Sequence, residues 1–433
     1  MILSVGACAF ACLGLILLVL FKPTVTIKNK SYSVYHLPAL AGGIFLLVTG
    51  TLTFKEAWSG LTASGDMNPL KILSLFISLT FLSVYLDELG FFRKIASVML
   101  KKTKGSQKKL FLALYALVSV LTVFTSNDIV VLTFTPFICF FCKEEQVSPV
   151  PYLVGEFVAA NTWSMALMIG NPTNIYLSSV CGIGFFEYFK VMWLPTLLAG
   201  LSALGILLLV FKKQLQKEVS PQPEETEIWD KGLLVIGVAH LGVCVIALAV
   251  SSYLTFPMWL LAVGFAVSLI VCTVVYSAAK RKLSRGNFIL TASVKRAPWT
   301  LVPFVLSMFL IVSALQKYGV TTKIGDLLNG EGSLVKYGVA SFLVSNVINN
   351  IPMSVLFGGV LLGGADKAAV FASVIGSNLG AYLTPVGALA GIMWTGLLKR
   401  YEVKFSFRDF LFYGAILSVP ALGCSLFGLW LVV

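Results

Sequence analysis

Charge is scarce in this chain. Asp, Glu, Lys and Arg together make up 12% of 433 residues, only 19 of them acidic, and histidine occurs twice. With 58% hydrophobic residues and a mean hydropathy of +0.92, the chain has too little polar surface to clothe a water-soluble core. His36 and His240 have no partner ligands at helical spacing, and HExxH, GxSxG and GxxxxGK[ST] are all missing. Those absences remove support for metal-dependent hydrolysis, serine hydrolysis and ATP use by the chain itself. The eight cysteines lie mostly inside apolar runs, so they form no disulfide framework. Cys139-x-x-Cys142 has metal or redox spacing but stands alone, and packing by small soft residues is the simpler reading. The formal charge of +13 does not point to nucleic acid, because the Lys and Arg sit in short runs between apolar spans. Residues 2–21 lack a basic n-region and a small-x-small cleavage site, which predicts a retained first helix and not a leader.

What is present is a series of spans long enough for a bilayer, expected near 2–21, 36–54, 70–89, 150–178, 189–211, 232–250, 256–277, 298–316, 367–398 and 409–433. Two further apolar stretches, 110–142 and 334–362, are interrupted near their middles by Ser126-Asn127-Asp128 and by Asn349-Asn350-Ile351-Pro352. A straight helix of about 30 residues would extend roughly 45 Å, beyond a hydrocarbon core of about 30 Å, so both read as re-entrant hairpins. With the hairpins turning back, loops 22–35, 93–109, 143–149, 212–231, 279–297 and 399–408 share one side and hold 25 of the 32 Lys and Arg. That satisfies the positive-inside rule, whereas two full crossings would put ten basic residues on the wrong face. The expected fold is an all-α polytopic membrane protein of about ten transmembrane helices plus two re-entrant hairpins in an inverted-topology repeat. Its expected divisions are scaffold helices at 1–69, a first transport repeat at 70–211, a cytoplasmic linker at 212–231, scaffold helices at 232–297 and a second repeat at 298–433. Gly42-Gly43 is expected to permit close helix packing.

The spans at 150–178 and 367–398 are broken at matching spacing. Asn161 and Thr162 precede Gly170-Asn171-Pro172-Thr173-Asn174, while Ser377 and Asn378 precede Thr384-Pro385-Val386-Gly387, with Asn161 to Gly170 and Asn378 to Gly387 both nine residues apart. Amides, hydroxyls and helix breakers inside lipid-soluble runs are costly unless they line a cavity. Paired broken segments in two halves therefore mark a transporter's central site. Asp128 is an ionisable group expected near mid-membrane, where it must be paired, cation-bound or protonated, and it is the first candidate for coupling to H+ or Na+. Capping of the following half-helix is its structural alternative. Glu156 is a second coupling candidate, balanced against a carboxylate that merely snorkels to water. Asp87 and Glu88 read as a solvated helix end. The absence of Lys and Arg near the four breaks favours a neutral or weakly charged substrate, although half-helix N-termini hold anions without them.

The strings LDELGFFRKIA (86–96), SNDIVVLTFTPFI (126–138), EFVAANTWSMALMIGNPTNI (156–175), KRAPWTLVPF (295–304), NNIPMSVL (349–356) and GSNLGAYLTPVGALAGIMW (376–394) resemble the ion transporter superfamily. Within it they most resemble the arsenical pump membrane protein branch. That resemblance implies export of arsenite or antimonite across a bacterial inner membrane, driven by the proton gradient or in association with a separate ATPase subunit. It also implies a multi-pass, often dimeric protein with a scaffold and a transport domain, a small inorganic substrate and no cofactor. Substrate-binding residues carried over by position are Ser126, Asn127, Asn161, Thr162, Gly170, Asn171, Thr173, Asn174, Asn349, Asn350, Ser377, Asn378, Thr384 and Pro385, with Asp128 at the first tip. Na+/H+ antiport and citrate- or dicarboxylate-like anion transport are the activities of related branches. A channel subunit driven by an ATPase partner is the alternative of another class.

Overall fold

The computed structural model describes all residues except 22–23, 28–29, 63–67, 103–105, 217–227 and 252–255. Most of the expected linker at 212–231 thus lies outside the described residues. In chain order the first half comprises α1 (Ile2–Phe21), a short antiparallel pair β1 (Thr24–Ile27) and β2 (Lys30–Ser33), α2 (Leu37–Val48), α3 (Phe54–Leu61), α4 (Pro69–Glu88) and α5 (Phe91–Lys102). It continues with α6 (Gln107–Phe124), α7 (Asn127–Glu144), α8 (Val150–Trp163), a 3-10 turn (Met168–Gly170), α9 (Pro172–Val180) and α10 (Phe185–Val210). The second half comprises α11 (Lys231–Ser251), α12 (Met258–Ala279), α13 (Leu283–Arg296), α14 (Leu301–Lys317), α15 (Val320–Leu328) and α16 (Ser333–Ile348). It ends with α17 (Asn350–Leu361), α18 (Lys367–Gly380), α19 (Leu389–Arg400) and α20 (Phe407–Val432).

The protein is an all-α polytopic membrane protein, with the strand pair as its one departure. Thr24, Val25, Thr26 and Ile27 are all β-branched, which favours extended backbone in what was expected to be plain loop. Seven helical segments among the described residues are long and apolar enough to cross a membrane. The span expected at 36–54 is shorter than read. α2 stops at Val48, Gly50 takes φ +67°, and a capping box between Thr53 and Glu56 starts α3 afresh. Its 12 residues rise only about 18 Å. Gly42 and Gly43 hold α2 tightly in place: a Cβ on Gly42 would sit 3.2 Å from the Ala7 carbonyl oxygen, and one on Gly43 would sit 3.5 Å from Ser307.

Packing repeats between the halves by exchange. α4 lies against α12 as α14 lies against α2; α7 lies against α19 as α17 lies against α9; α10 and α20 pack along each other. Within each half, both arms of a hairpin lie on the same broken helix, α6 and α7 on α8, α16 and α17 on α18. Two arms joined by Thr125-Ser126 or by Asn349 alone, both resting on one neighbour, have the packing of the expected re-entrant hairpins. Contacts exchanged in this way are those of an inverted-topology repeat.

The expectation of a solvated end for α4 is corrected. Arg296 reaches back from α13 and donates to Asp87 Oδ2 at 2.8 Å and Glu88 Oε1 at 2.6 Å, and Asp87 is 3% exposed. A sequence separation of 208–209 residues concealed this pairing. Arg296→Gln strands a nearly buried carboxylate and is expected to cost about 1–3 kcal/mol, the guanidinium's own exposure reducing the penalty of a fully buried pair. Thermal unfolding in detergent checks it: the melting point should drop and partly recover in the Asp87→Asn/Arg296→Gln double variant.

Asp230, just before α11, is a second anchor between helix ends. Burial raises its pKa, but the amides of Leu233 and Gly232 and the Lys282 ammonium at 3.1 Å outweigh that and hold it below its ordinary value. A lowered carboxylate pKa contributes stability above its unfolded value, and that stability is lost as pH falls through the folded one.

Candidate functional site

The two helix breaks meet at the centre of the molecule and are tied by side-chain hydrogen bonds. Asn378, on the last turn of α18, is the hub. Its Oδ1 accepts from Ser164 Oγ and Asn171 Nδ2, both at 3.0 Å, and its Nδ2 donates to Asn174 Oδ1 at 2.7 Å and to the Val374 carbonyl at 2.8 Å. Beside it, Thr173 Oγ1 and Ser377 Oγ lie 2.9 Å apart, and Thr162 Oγ1 donates to the Tyr382 hydroxyl at 3.2 Å. Asn161, Thr162, Ser164, Thr173, Asn174, Ser377 and Asn378 are all 0% exposed. So dense a polar cluster is tolerable at bilayer depth only because its groups satisfy one another.

Local sequence explains how each break is held open. Asn171 caps α9, its Oδ1 accepting from the Thr173 amide at 3.1 Å. Asn174 Nδ2 reaches back at 2.9 Å to the carbonyl of Ser164, at the end of α8, and at 3.2 Å to that of Leu167, which starts the 3-10 turn. Gly170 must be glycine, because a Cβ there would run into the Ser164 backbone. In the second half a Cβ on Gly387 would likewise meet the Gly380 carbonyl at 2.6 Å and Ala381 Cα at 3.2 Å. Both glycines thus press on backbone six to seven residues earlier. Pro385 is buried, whereas Thr384 is half-buried and donates to Asn346 Oδ1 at 2.8 Å.

The hairpin tips dock onto these breaks. Asn127 Nδ2 donates to Asn161 Oδ1 at 3.0 Å. Across the molecule, Asn349 Nδ2 donates to the Val386 carbonyl at 2.9 Å and the Asn350 amide donates to Gly387 at the same distance. Asn349 takes φ 74° and ψ 152°, a conformation that side-chain-bearing residues rarely adopt, and these two bonds hold it there. Each tip rests on its own half's broken helix, so the tips communicate through the junction; no hydrogen bond joins them directly among the described residues. Ser126 Oγ, Asn127 Oδ1 and Asn350 Oδ1 are buried without hydrogen-bond partners. Unspent acceptors at both tips are what a polar ligand would engage.

The two coupling candidates sit in different surroundings. Asp128, in the first turn of α7, is half-buried with no hydrogen bond or ion pair among the described residues. Glu156 is 1% exposed, and the Thr135 hydroxyl of α7 bridges its two oxygens at 3.0 and 3.1 Å. That burial removes the snorkelling alternative for Glu156. Neither carboxylate belongs to the Asn378 network. Among the described residues no group of three His, Cys, Asp or Glu is placed to hold a metal ion, and Cys139 and Cys142 are buried free thiols in α7. Ser164, Tyr382, Asn346 and Thr135 complete the constellation; Ser164, inside EFVAANTWSMALMIGNPTNI, and Tyr382, inside the SNLGAYLTPVG string, lay close enough to a break to have been flagged.

A model of the citrate transporter family, CitMHS, matches residues 16–376. Among curated relatives, an arsenical pump membrane protein of Escherichia coli is 26% identical over 433 residues, covering 95% of both chains. One of Yersinia enterocolitica is 29% identical, covering 81% of this chain and 84% of its own. Among solved structures, the YdaH transporter of Alcanivorax borkumensis aligns with a TM-score of 0.58 at 14% identity, covering 99% of this chain and 98% of that one. MtrF of Neisseria gonorrhoeae, described as one of a class of antimetabolite efflux pumps, aligns at 0.51 and 13%, covering 98% and 94%. The structural likenesses concern the fold.

Proposed function

We propose, from the premise that this chain belongs to the citrate transporter family, that it is a secondary active transporter exporting arsenite or antimonite as the neutral hydroxide in exchange for protons. Membership makes it a membrane transporter and not an enzyme. The substrate reading is supported by the curated relatives named as arsenical pumps and by the chemistry of the junction. The observation that carries it is the wholly neutral lining of the site: amides and hydroxyls around Asn378, with unpartnered Ser126 Oγ, Asn127 Oδ1 and Asn350 Oδ1 at the tips. A trihydroxide both donates and accepts, and a shell of Asn, Ser and Thr meets it without the cost of burying a charge. A citrate-like trianion would call for cations, and among the described residues none bonds to the junction residues.

In this reading Asp128 carries the exchanged proton. It lies one residue from the first tip, pairs with no cation among the described residues, and alternates between a neutral form that lipid depth favours and an ionised form when open to water. Glu156, locked by Thr135, is a second carrier that links α7 to α8. α1, α2, α11 and α12 form the scaffold, and the hairpins with the broken helices form the moving part. A dimer and a separate ATPase are not needed for the step itself. Everted membrane vesicles test the proposal: an imposed pH gradient, without ATP, should drive accumulation of arsenite. Failure to accumulate arsenite or antimonite, with Na+ or citrate dissipating the gradient instead, would replace this substrate; uptake only with ATP and a partner would replace the mechanism.

A further inference from the structure

α4 carries a stripe that the site described above does not use. Ile72, Phe76, Thr80, Ser83 and Asp87 recur at three- and four-residue spacing, which sets them along one face of the helix. Three cavities lie in a row on that face. The outermost, about 300 Å3, opens between Lys71 and Ile72 of α4, Ser179 and Gly182 at the end of α9, and Trp259 of α12. Ile72 also lines the next, about 20 Å3, which touches Pro172 at the first break and Ile351 at the second tip. Phe76 lines that cavity and the innermost one, about 10 Å3, where Thr80 and Ser83 face Ser126 of the first tip.

Thr80 is 5% exposed and Ser126 4%, and the hydroxyl of each lacks a hydrogen-bond partner. Ser74, on the same helix, spends its hydroxyl on the Leu70 carbonyl at 2.8 Å. Thr80 leaves that ordinary option unused. Lys71 is the one basic residue among those lining the large cavity, and in the sequence the inter-span segments 62–68, 179–184 and 251–257 contain no Lys or Arg, the pattern of outer loops.

We propose that α4 lines the translocation route: Thr80 and Ser126 together hold hydroxyls of the substrate, and Phe76 and Ile72 close the path from there to the outer cavity. The substrate part rests on the transport reading above, while the route does not. Every variant is made in a background with the eight native cysteines replaced. Ser179→Cys should react with a membrane-impermeant thiol reagent added outside. Thr80→Cys should react at least tenfold faster when Phe76→Ala is added. Thr80→Val, which keeps the shape and removes one hydrogen bond, should raise the KM for antimonite about five- to tenfold with the maximal rate within twofold, and Thr80→Ser should restore it.

Labelling needs no substrate, so the two readings fail separately. If antimonite is not carried but Phe76→Ala opens Thr80→Cys to the reagent, the substrate is wrong and the route stands. A Thr80→Cys that Phe76→Ala leaves unreactive, or a Thr80→Val with unaltered KM, overturns the assignment of Thr80.

Discussion

Asn378→Ala is expected to abolish transport and to destabilise the folded protein by about 2–4 kcal/mol. The substitution removes the acceptor shared by Ser164 and Asn171 and the donor to Asn174, leaving three buried polar side chains of the first half short of a partner at once. An orphaned buried group costs about 1–3 kcal/mol in water-soluble proteins, while hydrogen bonds between membrane helices average nearer 0.6, and the estimate lies between these regimes. Thermal unfolding in detergent reads the stability and vesicle uptake reads the activity. Asn378→Asp is the informative companion. It keeps both acceptor contacts and loses only the donor, so it should retain more stability than alanine while introducing a charge where the account requires neutrality; its uptake should therefore also collapse. A variant that folded poorly as alanine yet transported well as aspartate would contradict a neutral binding junction.

Asp128→Asn should uncouple transport from protons and leave the fold intact. Among the described residues its carboxylate has no hydrogen bond or ion pair to lose, so the amide strands no partner there and the expected stability change is under about 1 kcal/mol. Accumulation driven by a pH gradient should fall at least tenfold, whereas exchange of labelled for unlabelled arsenite at equal pH should persist, because binding at the junction does not involve this side chain. Glu156→Gln serves as the contrast: it keeps the bond from Thr135 to one oxygen but alters a wholly buried site. If Glu156→Gln lost coupling while Asp128→Asn transported with unchanged pH dependence, the proton would have to be reassigned to Glu156.

The positions of the hairpins and broken spans were legible because Asn, Gly and Pro inside apolar runs have few structural uses other than to break a helix around something polar. Ser126 to Asp128 and Asn349 lie at the tips, and Asn161, Asn171 and Asn378 lie at the breaks, as their spacing implied. Other features gave weaker signals. α3, α5, α13 and α15 fell in stretches read as loops or span ends, since a short amphipathic helix of mixed polarity satisfies no bilayer-length window. The stripe on α4 was hidden because serine and threonine barely lower hydropathy, so SLTFLSVYL reads as one apolar span. The Arg296 clamp on Asp87 and Glu88 depends on the path of the chain through three dimensions, and no local pattern announces it. The hub role of Asn378 has the same origin: spacing marked the residue, but only the exchange of packing between halves brings Ser164, Asn171 and Asn174 around it.

Antimony scatters strongly enough to be located directly. The account predicts that an experimental density map of the protein with bound antimonite will show the metalloid at the junction, within hydrogen-bonding reach of the tip groups Ser126, Asn127 or Asn350 and beside the Asn378 cluster. Density for antimony on thiols such as Cys139 and Cys142 with the junction empty, or a map in which residues 126–128 and 349–352 stand in bulk water, would contradict it.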